Sequence, residues 1–325
     1  MGIVERAVEL AQSDAKAAEA VQLRTPDEPA LRTAAESRQR TALPERGSTP
    51  SLEAVSLPGS VEKRVVQLDP KRLRDLGRLP PENSSQQAKE EMRRIKWPLL
   101  AAITGCDGAN QARNNVIQVT SALPGEGKTY AALMLALSIV LDRERRVVLV
   151  DGDVARPGLT PAVGLEDSRG LTDVLENLDL DIDSVTYETD VEGLFVIPAG
   201  KWHERSSELL ASNRMPQVIE QLSRRLGGGV IIIDSPPLLA TNEAQVITRH
   251  VGQVLLVVRA NDTEQQAVLT ALALVDKDAR IRSVLNCVTP SVLNRYYGKD
   301  YYKHGAGYGY GQHYGRGSTA DKGNP

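Results

Sequence analysis

The chain has 325 residues, with 39 Lys and Arg against 42 Asp and Glu, and its formal charge of −3 leaves no global basic field for nucleic acid. Its two cysteines, Cys106 and Cys287, are too few for a disulfide framework or a cysteine-rich zinc site, and fit a reducing cytosol. The longest apolar run, Ala131 to Leu141, has about eleven residues, short of the ~20 that span a bilayer, and reads as a buried helix.

Met1-Gly2-Ile3 opens like a myristoylation signal, but Arg6 stands where Ser or Thr is needed and no secretory h-region follows. Membrane location is therefore expected only through a partner. Residues 3 to 22 place Ile3, Val4, Ala7, Val8, Ala11, Ala15, Ala18 and Val21 at helical spacing. This amphipathic helix either docks on a partner or membrane surface, or is a weakly stable solvated helix. From Leu23 to about Glu62 the chain is rich in Pro, Arg, Glu, Ser and Thr, which reads as linker. A second extended piece, Val65 to Asp69, follows, and Leu79-Pro80-Pro81 with Glu82 to Ser85 breaks the chain again. The globular domain is expected to start near Gln86.

Strand-like runs then recur at Val116 to Ser121, Val147 to Asp151, Leu194 to Pro198, Val230 to Asp234, Val254 to Arg259 and Ile281 to Leu285, with helical patterns between them. Short buried runs between helices predict an α/β fold with a doubly wound, mostly parallel sheet covered on both faces. Ligands bind such sheets at the carboxyl ends of the strands.

Three of those ends carry chemistry. Ser121-Ala122-Leu123-Pro124-Gly125-Glu126-Gly127-Lys128-Thr129 lies between an apolar run and a helix-forming run, the setting of a phosphate-binding loop. Glycine-freed N–H groups and the helix's positive end form the anion cradle, Lys128 adds a point charge, and Thr129 a hydroxyl for Mg²⁺. In the general motif the first glycine falls on Ala122 here. Pro124, Gly125, Glu126, Gly127, Lys128, Thr129 and Tyr130 are the nucleotide-binding candidates, with Asn286 either facing the base or serving as a strand-end polar cap. Val147 to Val150 leads into Asp151-Gly152-Asp153, followed by Arg156. If strand pairing continues to residue 153, both carboxylates face one side, one holding Mg²⁺ through water and the other accepting a proton; a solvated turn would use the same residues. Val230 to Ile233 leads into Asp234-Ser235-Pro236-Pro237, the Walker B position, whose carboxylate holds Mg²⁺.

Seven of the nine tyrosines, Tyr296, Tyr297, Tyr301, Tyr302, Tyr308, Tyr310 and Tyr314, lie in the last thirty residues among Gly, Lys, Arg and His. Such a tail is expected to be disordered and able to reach an active site as phosphate acceptor. A sticky tail for RNA or a partner, or inert low complexity, are the other readings. Eukaryotic-type kinase machinery is absent: the only phenylalanine, Phe195, follows Leu194, so there is no D-F-G, and no histidine begins H-R-D.

Together these residues resemble the bacterial tyrosine autokinases, P-loop kinases that accompany exopolysaccharide and capsule export. The resemblance runs from about Gln86 to the C-terminus. Pro124 to Thr129 has the family's P-G-E-G-K-[ST] form, Asp151-Gly152-Asp153 with Arg156 its second acidic motif, and Ile233 to Pro237 its third. Glu90, Arg93 and Lys96 resemble its E-x-x-R-x-x-R self-association motif, with a point-charge lysine where a forked arginine is usual. Lys96 with Pro98-Leu99-Leu100, and Asp234 to Thr241, are closest to the subgroup associated with exosortase A and exopolysaccharide loci.

The resemblance implies ATP and Mg²⁺ as cofactors, with Lys128 on the β/γ-phosphates, Thr129, Asp153 and Asp234 around the metal, and Asp151 as candidate base. It implies a ring-like homo-oligomer whose tails phosphorylate in trans, a membrane-embedded chain-length-determinant or polysaccharide co-polymerase partner, a protein-tyrosine phosphatase, and a cytoplasmic site peripheral to the inner membrane. The chain would then comprise a helix and linker over 1–85, a kinase domain over 86–290, and the tail over 291–325. Two other readings compete. A positioning ATPase like the septum-site or plasmid-partition proteins would carry a lysine five residues before Lys128, where this chain has Leu123. A non-catalytic nucleotide-binding regulator of an export complex would make no phosphotyrosine.

Overall fold

The computed structural model describes residues 65–104, 113–143, 145–177 and 179–288. The helix expected over residues 3–22, the linker to Glu62, Cys106 and the tyrosine cluster lie outside them.

The elements in chain order are β1 (Val65–Val66), α1 (Pro70–Asp75), α2 (Ser85–Thr104), β2 (Val116–Ser121), α3 (Lys128–Val140), β3 (Val147–Asp151), α4 (Thr160–Val163), α5 (Leu171–Glu176), β4 (Tyr187–Thr189), β5 (Leu194–Ile197), α6 (Ser206–Ala211), α7 (Arg214–Leu226), β6 (Val230–Asp234), α8 (Asn242–Thr248), β7 (Gln253–Arg259), α9 (Gln265–Ala273) and β8 (Arg280–Asn286). One sheet orders the strands β1-β4-β5-β3-β6-β2-β7-β8. Every pair is parallel except β4 with β5.

Alternation along the strands divides the core between the two faces of the sheet. Val148, Val150, Ile231 and Ile233 join one cluster; Val147, Leu149, Val230 and Ile232 join the other. The first is covered by α7, whose buried Met215, Val218, Ile219, Leu222 and Leu226 recur at helical spacing. The second is covered by α3, buried nearly all round, with Met92 and Leu99 of α2 outside it. This two-sided cover is the doubly wound arrangement that the apolar runs predict.

Residues upstream of Gln86 also pack on this sheet. Val65 and Val66 pair with Glu188 and Thr189, the Leu68 N–H donates to Asp190 at 3.0 Å, and Leu73 of α1 is 2% exposed in the second cluster. The Asp69 side chain caps α1 by accepting from Lys71 N at 2.9 Å. Arg72 fastens α1 to the α4 region, bonding Pro161 O at 2.5 Å and Glu166 at 2.8 Å.

Candidate active site

The phosphate loop joins β2 to α3. Gly125 and Gly127 have φ of 82° and 93°, a region glycine enters without a Cβ clash. Gly127 is the N-cap of α3 and no side chain caps that end, so first-turn N–H groups and the positive end of the dipole remain for an anion. Glu126, 2% exposed, braces the loop from within: its carboxylate accepts from Leu123 N at 2.7 Å, from Arg259 N at 3.3 Å and from the Thr263 hydroxyl. Asn286 ends β8 and donates its side-chain amide to Glu126 O at 2.9 Å. A Cβ on Gly127 would lie 2.1 Å from that amide nitrogen. Asn286 is thus a strand-end partner of the loop itself.

Asp151 and Asp234 are register partners at the ends of β3 and β6, and both are buried. Asp151 accepts from Asp153 N at 3.3 Å, Leu159 N at 3.1 Å, Thr160 N at 2.7 Å and Thr160 Oγ1 at 2.7 Å. Burial raises its carboxyl to about 6, against the pull of those donors. The sequence reading of Asp151 as general base meets a different geometry. Its oxygens are committed to the Leu159–Thr160 turn, and a buried carboxylate with four donors is a poor acceptor for a phenolic proton.

The Thr129 hydroxyl and the Lys128 charge lie close enough to the Asp234 carboxylate to stabilise its ionised form, and its buried Oδ2 has no hydrogen-bond partner among the described residues. Burial first, then repulsion from Asp151, pushes this carboxyl up to about 7 against the pull of Thr129 and Lys128. Strand pairing does not carry on to residue 153. β3 stops at Asp151, where the next N–H, that of Gly152, donates across to Asp234 O at 2.7 Å. Gly152 has no space for a side chain: a Cβ would meet Ile233 Cγ2 at 2.8 Å. Asp153 nevertheless reaches the site, half-buried and accepting from Arg156 N at 3.1 Å. Burial raises its carboxyl, while the Arg156 N–H and the charges of Lys128 and Arg156 pull it down.

These donors are hard oxygens, one of them an orphaned carboxylate oxygen beside a hydroxyl and a lysine. The set fits Mg²⁺, which takes few protein ligands and completes its shell with water and phosphate. No cluster of three or more His, Cys, Asp or Glu that could hold a metal ion is present among the described residues.

No protein-family model matches the chain. A tyrosine-protein kinase of Acinetobacter johnsonii, ptk, is 31% identical over 196 residues, 60% of this chain and 25% of that protein. The tyrosine-protein kinase wzc of Salmonella typhimurium is likewise 31% identical over 196 residues, 60% of this chain and 26% of its own. Among solved structures, the kinase domain of the Escherichia coli tyrosine kinase ETK superposes with a TM-score of 0.55 at 26% identity, covering 65% of this chain and 83% of that one. The VpsO kinase domain gives 0.53 at 27% identity, over 64% of this chain and all of that one. The chain is similar to bacterial tyrosine kinases over its kinase-like region. It spans only about a quarter of the length of these two curated relatives.

Within this kinase-like domain the remaining predicted residues separate. Glu90 and Arg93 are exposed on α2. Lys96 is not available to a neighbouring copy: it is 4% exposed, donates to Ser138 O at 2.8 Å and pairs with Asp142. It caps the C-terminal end of α3, where a cation meets the negative end of the dipole. Tyr130 is half-buried on α3, its phenol raised by burial and by Glu91 and Cys287, next to the loop. No helix among the described residues is long and apolar enough to cross a membrane.

Sequence reasoning missed the pins that aim these groups. Gln118 donates to Ser235 Oγ at 2.7 Å and Ala244 O at 2.9 Å, and Thr120 donates to Pro236 O at 2.7 Å, tying the segment after Asp234 to the strand that bears the phosphate loop. The polar Gln118 and Thr120 alternating with Ile117 and Val119 in a strand-like run were the available signal.

Proposed function

We propose that the chain is an ATP- and Mg²⁺-dependent protein-tyrosine autokinase that phosphorylates its own C-terminal tyrosines and so regulates exopolysaccharide polymerisation or export. The observation that carries this reading is the orphaned oxygen of buried Asp234 beside Thr129 and Lys128, in a domain similar to tyrosine-kinase domains. The loop's N–H groups and the uncapped first turn of α3 hold the α- and β-phosphates, and Lys128 reaches the β- and γ-phosphates. Thr129, Asp153 and Asp234 hold Mg²⁺, which neutralises charge building on the transferred phosphoryl group.

In the reaction a tyrosine hydroxyl oxygen bonds to the γ-phosphorus as the bond to the bridging oxygen breaks, giving phosphotyrosine, ADP and a proton. A phenol has a pKa near 10, so positioning and charge neutralisation contribute most of the rate. Asp151 acts through Thr160 and the 159–160 turn, as a positioning residue.

The partners proposed are further copies of the chain, a membrane-embedded polysaccharide co-polymerase that holds it at the inner membrane, and a tyrosine phosphatase that resets the tail. The test is phosphotyrosine mass spectrometry on purified protein with Mg-ATP. Wild type is expected to carry phosphate on Tyr296, Tyr297, Tyr301 or Tyr302, and Lys128→Ala to carry none; an unmodified wild-type tail defeats the assignment.

A further inference from the structure

We propose that Arg78 is a phosphate-facing residue of this site, presenting its guanidinium to the terminal phosphate of the bound nucleotide alongside Thr129. The proposal rests on the kinase reading above and adds a cation from a segment that the motifs do not include.

Arg78 is delivered by the end of α1. Gly77 takes φ 66°, and Arg78 N and Leu79 N both donate to Leu73 O, at 2.7 and 3.2 Å, which closes the helix on its buried anchor Leu73. The bonds of Arg72 to Pro161 O and Glu166 hold α1 against the region that follows the Asp151-bound turn. Between that turn and Arg156 lies Gly158. A Cβ on Gly158 would sit 2.6 Å from Thr129 Oγ1 and 3.3 Å from a terminal guanidinium nitrogen of Arg78. The guanidinium and the metal-site hydroxyl thus both border the space that a side chain at Gly158 would fill.

The charge of Arg78 is unanswered there. It is half-buried, and its Nε is buried with no hydrogen-bond partner among the described residues. The carboxylates of Asp151 and Asp153 are engaged by backbone N–H groups, and no carboxylate among the described residues forms an ion pair with Arg78. A buried guanidinium N–H without an acceptor is costly. Lys128, Mg²⁺ and Arg78 can share one small space only if anionic oxygens stand between them. A triphosphate supplies them, and its non-bridging oxygens match the planar fork of arginine. The α- and β-phosphates belong to the loop's N–H cradle, so the oxygens left for Arg78 are those of the γ-phosphate.

The full chain carrying Arg78→Ala or Arg78→Lys would be measured with fluorescent ATP and ADP analogues plus Mg²⁺, and for single-turnover phosphotyrosine formation. The expected result is ADP affinity within about twofold of wild type, ATP affinity lower by about tenfold, and phosphoryl transfer slower by roughly 10³-fold, the size of a positioned arginine's contribution. Arg78→Lys is expected to recover part of the loss, and free guanidinium ion part of the Arg78→Ala rate, a rescue that a merely structural role does not give. Equal losses for ATP and ADP, no loss, or a gain in either would overturn the proposal, a gain meaning that Arg78 blocks the metal position. If Arg78→Ala fails to fold, the ATP-to-ADP ratio of Arg78→Lys decides. If wild type makes no phosphotyrosine while the Arg78 variants still weaken ATP against ADP, the kinase reading fails and Arg78 stands.

Discussion

Asp151 and Asp234 are the same residue, paired in register on adjacent strands and equally buried, yet their surroundings are opposite. Asp151 has a donor on each oxygen and four in total. Asp234 keeps an oxygen with none among the described residues. A buried carboxylate that folding satisfies is a structural part; one that folding leaves short is matched to something that arrives later. Donor count, which burial does not reveal, divides the two strand ends into a scaffold and a site.

The sharpest way to break this division is Asp234→Asn. Phosphotyrosine formation is expected to fall by roughly 10³-fold, the scale on which charge-stabilising groups act in phosphoryl transfer. Ligand-free protein at pH 8 should melt a few degrees higher, because an unanswered buried charge is gone. Retained activity with retained Mg²⁺ dependence would erase the distinction.

Asp151→Ala addresses the other half. Leaving the Leu159 and Thr160 donors buried without a partner should cost about 3 kcal/mol in urea unfolding. A loss below about 1 kcal/mol would mean that water replaces the carboxylate.

The two ends also differ in how they meet protons. Burial raises the Asp234 carboxyl from its ordinary 3.8 to about 7, so on raising the pH the unfolded chain releases this proton before the folded one does. The contribution of Asp234 to ligand-free stability is then most favourable below 3.8 and declines as pH rises toward about 7. In the proposed role of Asp234 Mg²⁺ would take the proton's place, so the rise in melting temperature on adding Mg-ATP should grow from pH 6 to pH 8 in wild type and be flat in Asp234→Asn. A shift independent of pH would show that Asp234 does not meet the metal.

The smallest effect is expected at Asn286→Ala, which removes one bond to the phosphate loop. It should destabilise by about 1 kcal/mol and weaken nucleotide binding a few-fold in a titration.

The central strands and the three acidic or glycine-rich strand ends are legible in sequence because buried parallel strands are continuous apolar runs, and the chemistry stands where those runs stop. β4 is not, since three residues such as Tyr187–Thr189 have no period to detect. Val65–Val66 reads as extended, but its place in the sheet depends on pairing with residues over a hundred positions away. Lys96 misleads because the motif gives residue type and spacing while the face of α2 that is buried depends on where α3 lies. The four donors that engage Asp151 were not legible because three of them are brought by the 159–160 turn, eight and nine positions further along the chain. Arg78 was invisible because its neighbour Thr129 is fifty-one positions further along the chain.

Glu126 settles the shape of the phosphate loop during folding. Fixing a flexible segment costs about 1–2 kcal/mol of backbone entropy per residue, and a loop clipped at Leu123, Arg259 and Thr263 has no such ordering left to undergo when nucleotide arrives. Capture at the loop is therefore a single diffusive encounter with a rigid cradle, free of a slow closing phase, and differences in affinity among nucleotides will be written in how long each one stays.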